Sequence, residues 1–350
     1  MAHRSTRLSR RTAAAVGLLT LCGMLSGCAN ASAVDDEVTI GYFANVTHAP
    51  ALVADGSGLF GERLAEAGAT VTTQSFRAGP EALQAVLAGS VDVAYIGPNP
   101  TVTAYLQSGG EAARVIAGST SGGAALVVRE GIESAEDLRG ARLASPQLGN
   151  TQDIALRHWL DTQGLTADPD GGGDVHVLPQ PNSAAVQSFQ AGEIDGAWVP
   201  EPFVARLVGA GGVVLVDERD LWPDGLFVTT NVLANREFVE ERPDLVRAVL
   251  EAHLDAIAVT DDDPTAARAA VAAQIKALTE QDMDPATLES AWQTLEFTGD
   301  PLADSLRTAA EHADAVGLLP DTPNDDFARL WALDVLNEAL TARGAAEVTS

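Results

Sequence analysis

The sequence predicts an α/β protein with two lobes and a ligand cleft between them. Strand and helix signals alternate from Val38 onward, which is the rhythm of βα units. A motif occurs twice: AGSVDVAYIGP at 88–98 returns as AGEIDGAWVPE at 191–201, each time after an apolar helical stretch. The chain is also longer than one hydrophobic core usually supports. Two lobes of similar build account for all three observations.

The first 27 residues have the features of an export signal. Four arginines precede an apolar run at 13–25 that is too short to span a bilayer, namely Arg4, Arg7, Arg10 and Arg11. We therefore expect residues 1–27 to be a signal peptide that is removed. The pair Arg10-Arg11 leaves the twin-arginine route open beside the general export pathway.

Cys28 ends a run of small residues, Leu25-Ser26-Gly27-Cys28, that is similar to the lipobox of bacterial lipoproteins. In a lipobox the cysteine is acylated and becomes the first mature residue. We expect Cys28 to carry the lipid and 28–37 to be a tether. The protein would then be extracytoplasmic and attached to the outer face of the cytoplasmic membrane by lipid only. The alternative is an ordinary signal peptide cut at 29–33.

Cysteine content and charge exclude several function classes. The chain has two cysteines, Cys22 and Cys28, and Cys22 lies in the leader. The mature chain therefore has no thiol for a disulfide, a zinc site or a nucleophile beyond Cys28. No metal, cofactor or catalytic residue is expected. The net charge of −28 becomes −32 without the four leader arginines, which excludes nucleic acid as a partner. We expect a monomer that binds a small molecule.

The predicted elements divide the mature chain into three segments. Residues 38–120 form the first part of lobe 1, 121–216 form lobe 2, and 217–350 return to lobe 1 with the C-terminal helices. A Gly/Ser run at 118–123 is predicted to cross between the lobes, and everything from Asn235 onward is predicted to be helical. The predicted strands lie at 38–43, 71–76, 91–96, 114–117, 124–128, 142–144, 175–178, 213–216 and 227–233, with one more ending at Val199.

Polar residues follow the predicted strands at the edge where ligands bind in open α/β sheets. The candidates after the first strand and after the first copy of the motif are Asn45, Thr47, His48, Gly97, Pro98 and Asn99. Their structural alternatives are a buried histidine and a tight turn. The turn at 77–80 adds Gly79 as a ligand contact. It also presents Arg77, which either balances the charge of an anion or pairs with a surface acid.

The segment Gly149-Asn150-Thr151-Gln152 opens a predicted helix and is the strongest chemical signal. A helix N-terminus offers unpaired N–H groups and a partial positive charge, so it can hold an anion without a charged side chain. The alternative is that Asn150 or Thr151 only caps its own helix.

Trp198 and Glu201 mark the second copy of the motif. The Trp198 indole either contacts an alkyl or aryl part of the ligand or packs in the core. A Glu201 carboxylate in the cleft would repel an anion. It therefore either caps the helix that begins near Pro202 or recognises an amine on a zwitterionic ligand such as taurine.

Four features occur together: the strand and helix order, the two copies of the motif, the Gly149-Asn150-Thr151 turn and Trp198-Val199-Pro200-Glu201-Pro202. In this combination the chain resembles the nitrate/sulfonate/taurine family of ABC-transporter substrate-binding lipoproteins, most closely its aliphatic-sulfonate branch. The resemblance covers almost the whole mature chain. It implies the type II periplasmic-binding-protein fold and delivery of the ligand to an ABC permease and its ATPase.

The resemblance also implies that the crossing segment lines the cleft, which adds Thr120, Ser121 and Gly122 to the candidates. A flexible linker with serines facing water is the alternative. The expected ligand is a small organic anion, an aliphatic sulfonate. Nitrate, taurine and a thiamine-type pyrimidine stay open, although nitrate-type relatives use a lysine and Lys276, the only lysine, lies in a predicted outer helix. An enzyme on the same fold is disfavoured because such enzymes use cysteines or a metal.

Overall fold

The computed structural model describes residues 36–320 and 327–350. The described residues belong to one compact unit. The predicted signal peptide, the lipid site at Cys28 and most of the tether lie outside the described residues. Asp36 and Glu37, expected in the tether, instead belong to the first strand, where they pair with Ala69 and Thr70.

The first lobe is built on a sheet of six strands in the order β11-β4-β10-β3-β1-β2. Strands β1, β2 and β3 run parallel, whereas β10 is antiparallel to both β3 and β4, and β11 is antiparallel to β4. The six strands are β1 Asp36–Phe43, β2 Ala69–Phe76, β3 Val93–Ile96, β4 Ala113–Gly122, β10 Val228–Asn235 and β11 Leu295–Phe297.

The second lobe has a sheet of five strands in the order β7-β6-β8-β5-β9. Its three parallel strands are β6, β7 and β8, and β5 is antiparallel to both β8 and β9. The strands are β5 Ala124–Arg129, β6 Arg142–Ser145, β7 His176–Pro179, β8 Gly196–Pro200 and β9 Gly212–Asp217. The two sheets confirm the predicted two-lobe α/β class.

Helices follow most of the parallel strands and then form the C-terminal third of the chain. Prolines occupy the first turn of several of them, as predicted, because the missing N–H costs nothing there. Their bounds are α1 Ala49–Gly56, α2 Leu59–Glu66, α3 Gly79–Leu87, α4 Pro98–Gln107, α5 Thr151–Thr162, α6 Asn182–Ala191, α7 Phe203–Gly209, α8 Arg236–Glu241, α9 Pro243–Asp262, α10 Pro264–Thr279, α11 Pro285–Trp292, α12 Ala303–Ala315 and α13 Asp334–Ala342.

The repeated motif contributes one central strand to each sheet. Alternate side chains of each of these strands enter two different hydrophobic cores. In β3, Val93 and Tyr95 belong to one hydrophobic cluster and Ala94 and Ile96 to another. In β8, Ala197 and Val199 point to one cluster while Trp198 points to the other. Because successive side chains leave a strand on opposite faces, both sheets are covered on both sides.

The chain crosses between the sheets at Gly123 and again between Asp217 and Val228. The Gly/Ser run at 118–123 contains the first crossing, as predicted, although most of the run is strand because β4 continues to Gly122. A Cβ on Gly118 would stand 1.9 Å from the Asp300 carbonyl oxygen, so this strand requires glycine for the close approach of another segment.

The prediction that everything after Asn235 is helical is wrong at β11. This strand of three residues pairs with Thr120, Ser121 and Gly122, and tertiary pairing rather than local pattern creates it. Lys276 does lie on α10 with an exposed side chain, and it pairs with Asp282 (2.6 Å). Within residues 36–320 and 327–350, none of the helices has the length and hydropathy needed to cross a bilayer.

Candidate functional site

A cavity lies between the two lobes at the carboxyl ends of their parallel strands. The empty space among its lining atoms is about 360 Å³, a figure that includes open solvent. The first lobe and its return strand line it with Phe43, Asn45, Thr47, His48, Arg77, Ala78, Gly97 and Thr229, and the second lobe with Asn150, Thr151, Gln152, Asn182 and Pro200. Residues from both lobes thus face one small volume.

Helix N-termini converge on this cavity. Ala78, Gly97 and Asn150 precede α3, α4 and α5 as their N-cap residues, and Asn182 is the first residue of α6. Each N-terminus carries unpaired N–H groups and a partial positive charge. None of the described residues that line the cavity is Asp or Glu. The surroundings therefore favour an anion.

Two side-chain oxygens at the cavity wall lack a hydrogen-bond partner among the described residues. They are Thr151 Oγ1 and Asn182 Oδ1, and both atoms are buried. Thr151 is only 6% exposed. A buried polar atom without a partner costs stability, so a polar ligand can complete both positions. The Thr151 hydroxyl can donate to an anion, whereas Asn182 Oδ1 can only accept from a ligand donor.

His48 lies in the cavity wall as a neutral hydrogen-bond donor. Its Nδ1 accepts the Phe43 N–H (3.4 Å), which leaves the ring proton on Nε2. Burial lowers the pKa of His48 to about 3, so the imidazole is uncharged near neutral pH. The ring packs against Phe43, with 4.4 Å between centroids. His48 can therefore donate to an anion without a proton being taken up.

The loop before α5 is fixed by a buried ion pair. Asp153 accepts the Gly149 N–H (3.0 Å) and the Ser145 hydroxyl (2.6 Å), and Arg157 Nε lies 3.1 Å from the same carboxylate. Asn150 Oδ1 accepts the Thr151 N–H (2.9 Å). This network holds the start of α5 in place at the cavity, and Gly149 acts within it rather than in the cavity wall.

Arg77 is the cationic side chain of the cavity. It is exposed, and among the described residues no carboxylate forms an ion pair with its guanidinium. Its backbone N–H donates to Glu81 (3.2 Å) at the start of α3. The alternative predicted for Arg77, pairing with a surface acid, is therefore not what the structure has.

Several predicted contacts lie outside the cavity wall. Trp198 is fully buried in the second lobe, where its Nε1–H donates to Glu218 (2.7 Å), so the core-packing alternative describes it. Asn99 Nδ2 donates to the Ala309 carbonyl (2.8 Å) and ties α4 to α12. Pro98 occupies the first turn of α4. A Cβ on Gly79 would meet Pro100 at 2.3 Å, so its role is close helix packing.

Glu201 is also outside the cavity, and the capping alternative describes its geometry. Its carboxylate accepts the Ala205 N–H (3.1 Å) at the start of α7, and the residue is 2% exposed. Burial raises the pKa of Glu201 to about 7, and the nearby Asp217 charge adds to the shift.

The crossing residues are structural in this geometry as well. Ser121 Oγ accepts the Phe227 N–H (3.2 Å), and the Gly122 carbonyl accepts the Thr229 hydroxyl. Thr120 is 1% exposed and its hydroxyl lacks a partner among the described residues. Thr120, Ser121 and Gly122 thus join β4 to β10 and β11.

Five wall residues were missed by the sequence reasoning: Phe43, Ala78, Asn182, Pro200 and Thr229. Phe43 and Pro200 end parallel strands, and Asn182 begins the helix after β7, so the strand-end rule applied to every strand would have found them. Thr229 lies on a returning antiparallel strand and has no local signal.

The fold and the cavity together have the form of a two-lobe binding protein with a cavity between its lobes. Residues 31–276 match the model of the NMT1-like family. The chain therefore belongs to the NMT1-like family.

Sequence relatives include the taurine-binding periplasmic protein of Escherichia coli K12, 30% identical over 223 residues, which are 63% of this chain and 65% of that protein. A binding protein of Brucella abortus strain 2308 is 31% identical over 185 residues, 52% of this chain and 55% of its own. The chain thus spans somewhat more than half of the length of these relatives.

Solved structures share the fold. The alkanesulfonate-binding protein SsuA of Xanthomonas axonopodis, bound to MOPS, superposes with a TM-score of 0.67 at 21% identity, covering 81% of this chain and 94% of that one. The nitrate-binding protein NrtA of Synechocystis PCC 6803 gives 0.70 at 15% identity, covering 88% and 89%. These similarities confirm the two-lobe architecture of periplasmic binding proteins.

Proposed function

We propose that the protein is the extracytoplasmic solute-binding receptor of an ABC importer and that its lobes close on a small organic anion, an aliphatic sulfonate. The observation that carries the proposal is the composition of the cavity wall. Helix N-termini, a neutral His48, the Thr151 hydroxyl and the Arg77 guanidinium face one volume without a carboxylate among the described residues. This wall supplies donors for the three oxygens of a sulfonate.

The ligand contacts in this proposal are Asn45, Thr47, His48, Gly97, Asn150, Thr151 and Gln152 from the original candidates, joined by Arg77 and Asn182. Ligand that touches both lobes stabilises the closed arrangement, because only that arrangement offers all of these contacts at once. The closed receptor would then meet a permease that is powered by its ATPase.

The relatives support this choice of ligand class. A taurine-binding protein, an alkanesulfonate-binding protein and a nitrate-binding protein are all similar to this chain. All three ligands are oxyanions. Taurine carries an ammonium group as well. The cavity wall offers that group the Asn182 Oδ1 acceptor but no acidic side chain among the described residues, which favours a plain alkanesulfonate over taurine.

The anchoring proposal is separate from the ligand. Cys28 would carry the lipid that attaches a monomeric receptor to the outer face of the membrane. Metabolic labelling with a palmitate analogue tests it, since the label should appear on the wild-type chain and be lost from Cys28→Ser.

The ligand proposal is tested by calorimetry and thermal unfolding on protein lacking residues 1–28. A panel of ethanesulfonate, hexanesulfonate, taurine, nitrate and a pyrimidine should give the highest affinity for an alkanesulfonate, with a matching rise in the melting temperature. Buffers must be free of sulfonates, because the related SsuA is known with bound MOPS. Binding of the pyrimidine alone would refute the sulfonate assignment.

A double variant tests the site itself. Asn150→Leu with Thr151→Val removes the polar groups at the start of α5 and should abolish binding with the fold intact. Unchanged affinity in this variant would refute the role of the helix terminus.

A further inference from the structure

A second contact joins the lobes about two turns further along α5 from the cavity. Helix α12 of the first lobe packs on both α4 of its own lobe and α5 of the second. At that contact the imidazoles of His158, on α5, and His312, on α12, are stacked with centroids 3.6 Å apart and planes at 14°. Two titratable rings from opposite lobes therefore face each other directly.

Further aromatic side chains contact this pair. His312 lies 5.3 Å from the Trp222 ring with the planes tilted by 45°, and Trp222 stacks on Phe227 at 5.7 Å. Trp222 and Phe227 belong to the segment that returns from the second lobe to the first. These contacts thus join α5, α12 and the second crossing, which are three parts that must move relative to one another when lobes open.

We propose that His158 and His312 are the closing contact of the receptor, a positioning pair that holds the lobes together while both rings are neutral and releases them when the rings take up protons. The inference rests on the proposed function, because it concerns closure of the same cleft. Two imidazolium rings at this separation repel each other, and lobe opening removes the repulsion.

The charged groups around the pair offset this repulsion only in part. On α5, Asp161 is the acid that favours the charged form of His158, while Asp153 and Arg157 pair with each other. On the returning segment, Glu218 lines the small cavity beside the two rings, and burial raises its pKa to about 7. Glu218 is therefore largely uncharged at the pH values where the histidines protonate.

Three further groups stand near the pair. Arg219 pairs with Asp217 (2.6 Å), and Asp220 is exposed. The neighbouring α4 carries no Asp, Glu, His, Lys or Arg. On α12 itself Glu311 and Asp314 are exposed, so solvent screens their charges, and Arg307 pairs with Asp304 (3.5 Å).

Burial of the two rings disfavours proton uptake in the closed form. It lowers the pKa of His312 to about 4, with the His158 charge adding to the effect, and it lowers the pKa of His158 as well. In an open receptor both rings meet water and return toward their ordinary pKa near 6.5. The closed form binds fewer protons than the open form. It is therefore favoured above pH 6.5, and its stability relative to the open form decreases as the pH falls toward 4.

The experiment compares wild type with His158→Phe/His312→Phe, which keeps the stack but cannot titrate. Hexanesulfonate affinity is measured by calorimetry at pH 7.5 and pH 5.5, and the radius of gyration is measured without ligand by X-ray scattering at the same pH values. Wild type should lose about tenfold in affinity at pH 5.5 and become larger, because His312 alone contributes about one decade. The double Phe variant should keep both its affinity and its radius of gyration at pH 5.5.

Controls separate this result from other causes. The matched control is His176→Gln, at an exposed position on β7, and it should behave as wild type. If the double Phe variant does not fold, His158→Gln/His312→Gln replaces it as the variant that cannot titrate. The same acid response in wild type and the non-titrating pair would overturn the inference. A pH-dependent radius that only wild type shows, with no sulfonate bound by any variant, would support the closing contact and refute the proposed ligand.

Discussion

Across the cleft, the Gly97 backbone and the Thr151 hydroxyl approach so closely that a Cβ on Gly97 would stand 2.4 Å from Thr151 Oγ1. Gly97 has φ −72°, which any residue adopts, so glycine is needed there for space and not for backbone freedom. Gly97 belongs to the first lobe and Thr151 to the second. Closure of the lobes therefore depends on the missing side chain.

Gly97→Ala should lower hexanesulfonate affinity about tenfold with the fold preserved, because the added methyl displaces the Thr151 hydroxyl or holds the lobes apart. Calorimetry measures the affinity. In a Thr151→Ala background the same substitution should cost less, since the obstructing atom is gone. Gly61→Ala on α2, where a Cβ meets nothing within 4 Å, is the matched control. Equal losses in both backgrounds would contradict the steric account.

Thr151→Val should separate binding from stability. The substitution removes a buried hydroxyl that lacks a partner, so the melting temperature should stay the same or rise. Sulfonate affinity should fall roughly ten- to a hundredfold, as expected for a lost hydrogen bond to a charged group. Thr230→Val is the control, because the Thr230 hydroxyl is equally buried and unpartnered but lies outside the cavity wall. A similar loss in the control would show that the effect is indirect.

Arg77→Gln should weaken sulfonate binding about fivefold and reduce its dependence on salt. The guanidinium is exposed, so solvent screens its attraction for the anion and the effect stays near 1 kcal/mol. Titrations at 20 mM and 500 mM sodium chloride measure both quantities. Arg139→Gln, which removes an exposed arginine paired with Glu136 and Asp174, should leave them unchanged. A salt dependence that survives in Arg77→Gln would remove Arg77 from the site.

The strand-end rule explains how much of the site could be predicted from the sequence. Asn45, His48 and Gly97 follow parallel strands of the first sheet, and Asn150 and Thr151 follow β6 of the second. Side-chain type plus position after a strand was enough to find them, because every parallel strand ends at the same edge of its sheet.

The remaining residues needed information that local pattern does not hold. Trp198 and Pro200 are two residues apart on β8, yet Trp198 enters the core and Pro200 ends at the cavity. Glu201 is next to Pro200, but its carboxylate turns to the Ala205 N–H. Trp198 and Pro200 share one face of β8, so which part of that face meets the cleft depends on how the two lobes are placed. Strand β11 likewise exists only because β4 is there to pair with it.

Two buried carboxyl groups should make the protein less stable as the pH rises. Burial raises the pKa of Glu201 and of Glu218 to about 7, above the value near 4.5 in an unfolded chain. The folded state therefore holds protons that the unfolded state releases, so their stabilising effect is complete below pH 4.5 and is lost as the pH rises through 7. Each group accounts for about 3 kcal/mol at most.

Glu218→Gln should therefore raise the melting temperature at pH 8 and change it little at pH 4.5, since Gln keeps an acceptor for the Trp198 Nε1–H. Thermal unfolding from pH 4.5 to pH 8 measures the difference. Glu193→Gln, at an exposed position, should shift neither value. A variant curve parallel to that of wild type would mean that Glu218 is charged in the folded protein.

Glu201→Gln tests whether this carboxyl group selects the ligand. An amine-recognising Glu201 would have to reach the ammonium group of taurine, but its carboxylate caps α7 and lies outside the cavity wall. The ratio of ethanesulfonate to taurine affinity at pH 7.5 should therefore be the same in wild type and variant, while the melting temperature at pH 8 rises. A selective loss of taurine binding in Glu201→Gln would return this residue to the site and favour a zwitterionic ligand over a plain sulfonate, because neutralising a remote cap cannot distinguish two ligands that differ only in an ammonium group.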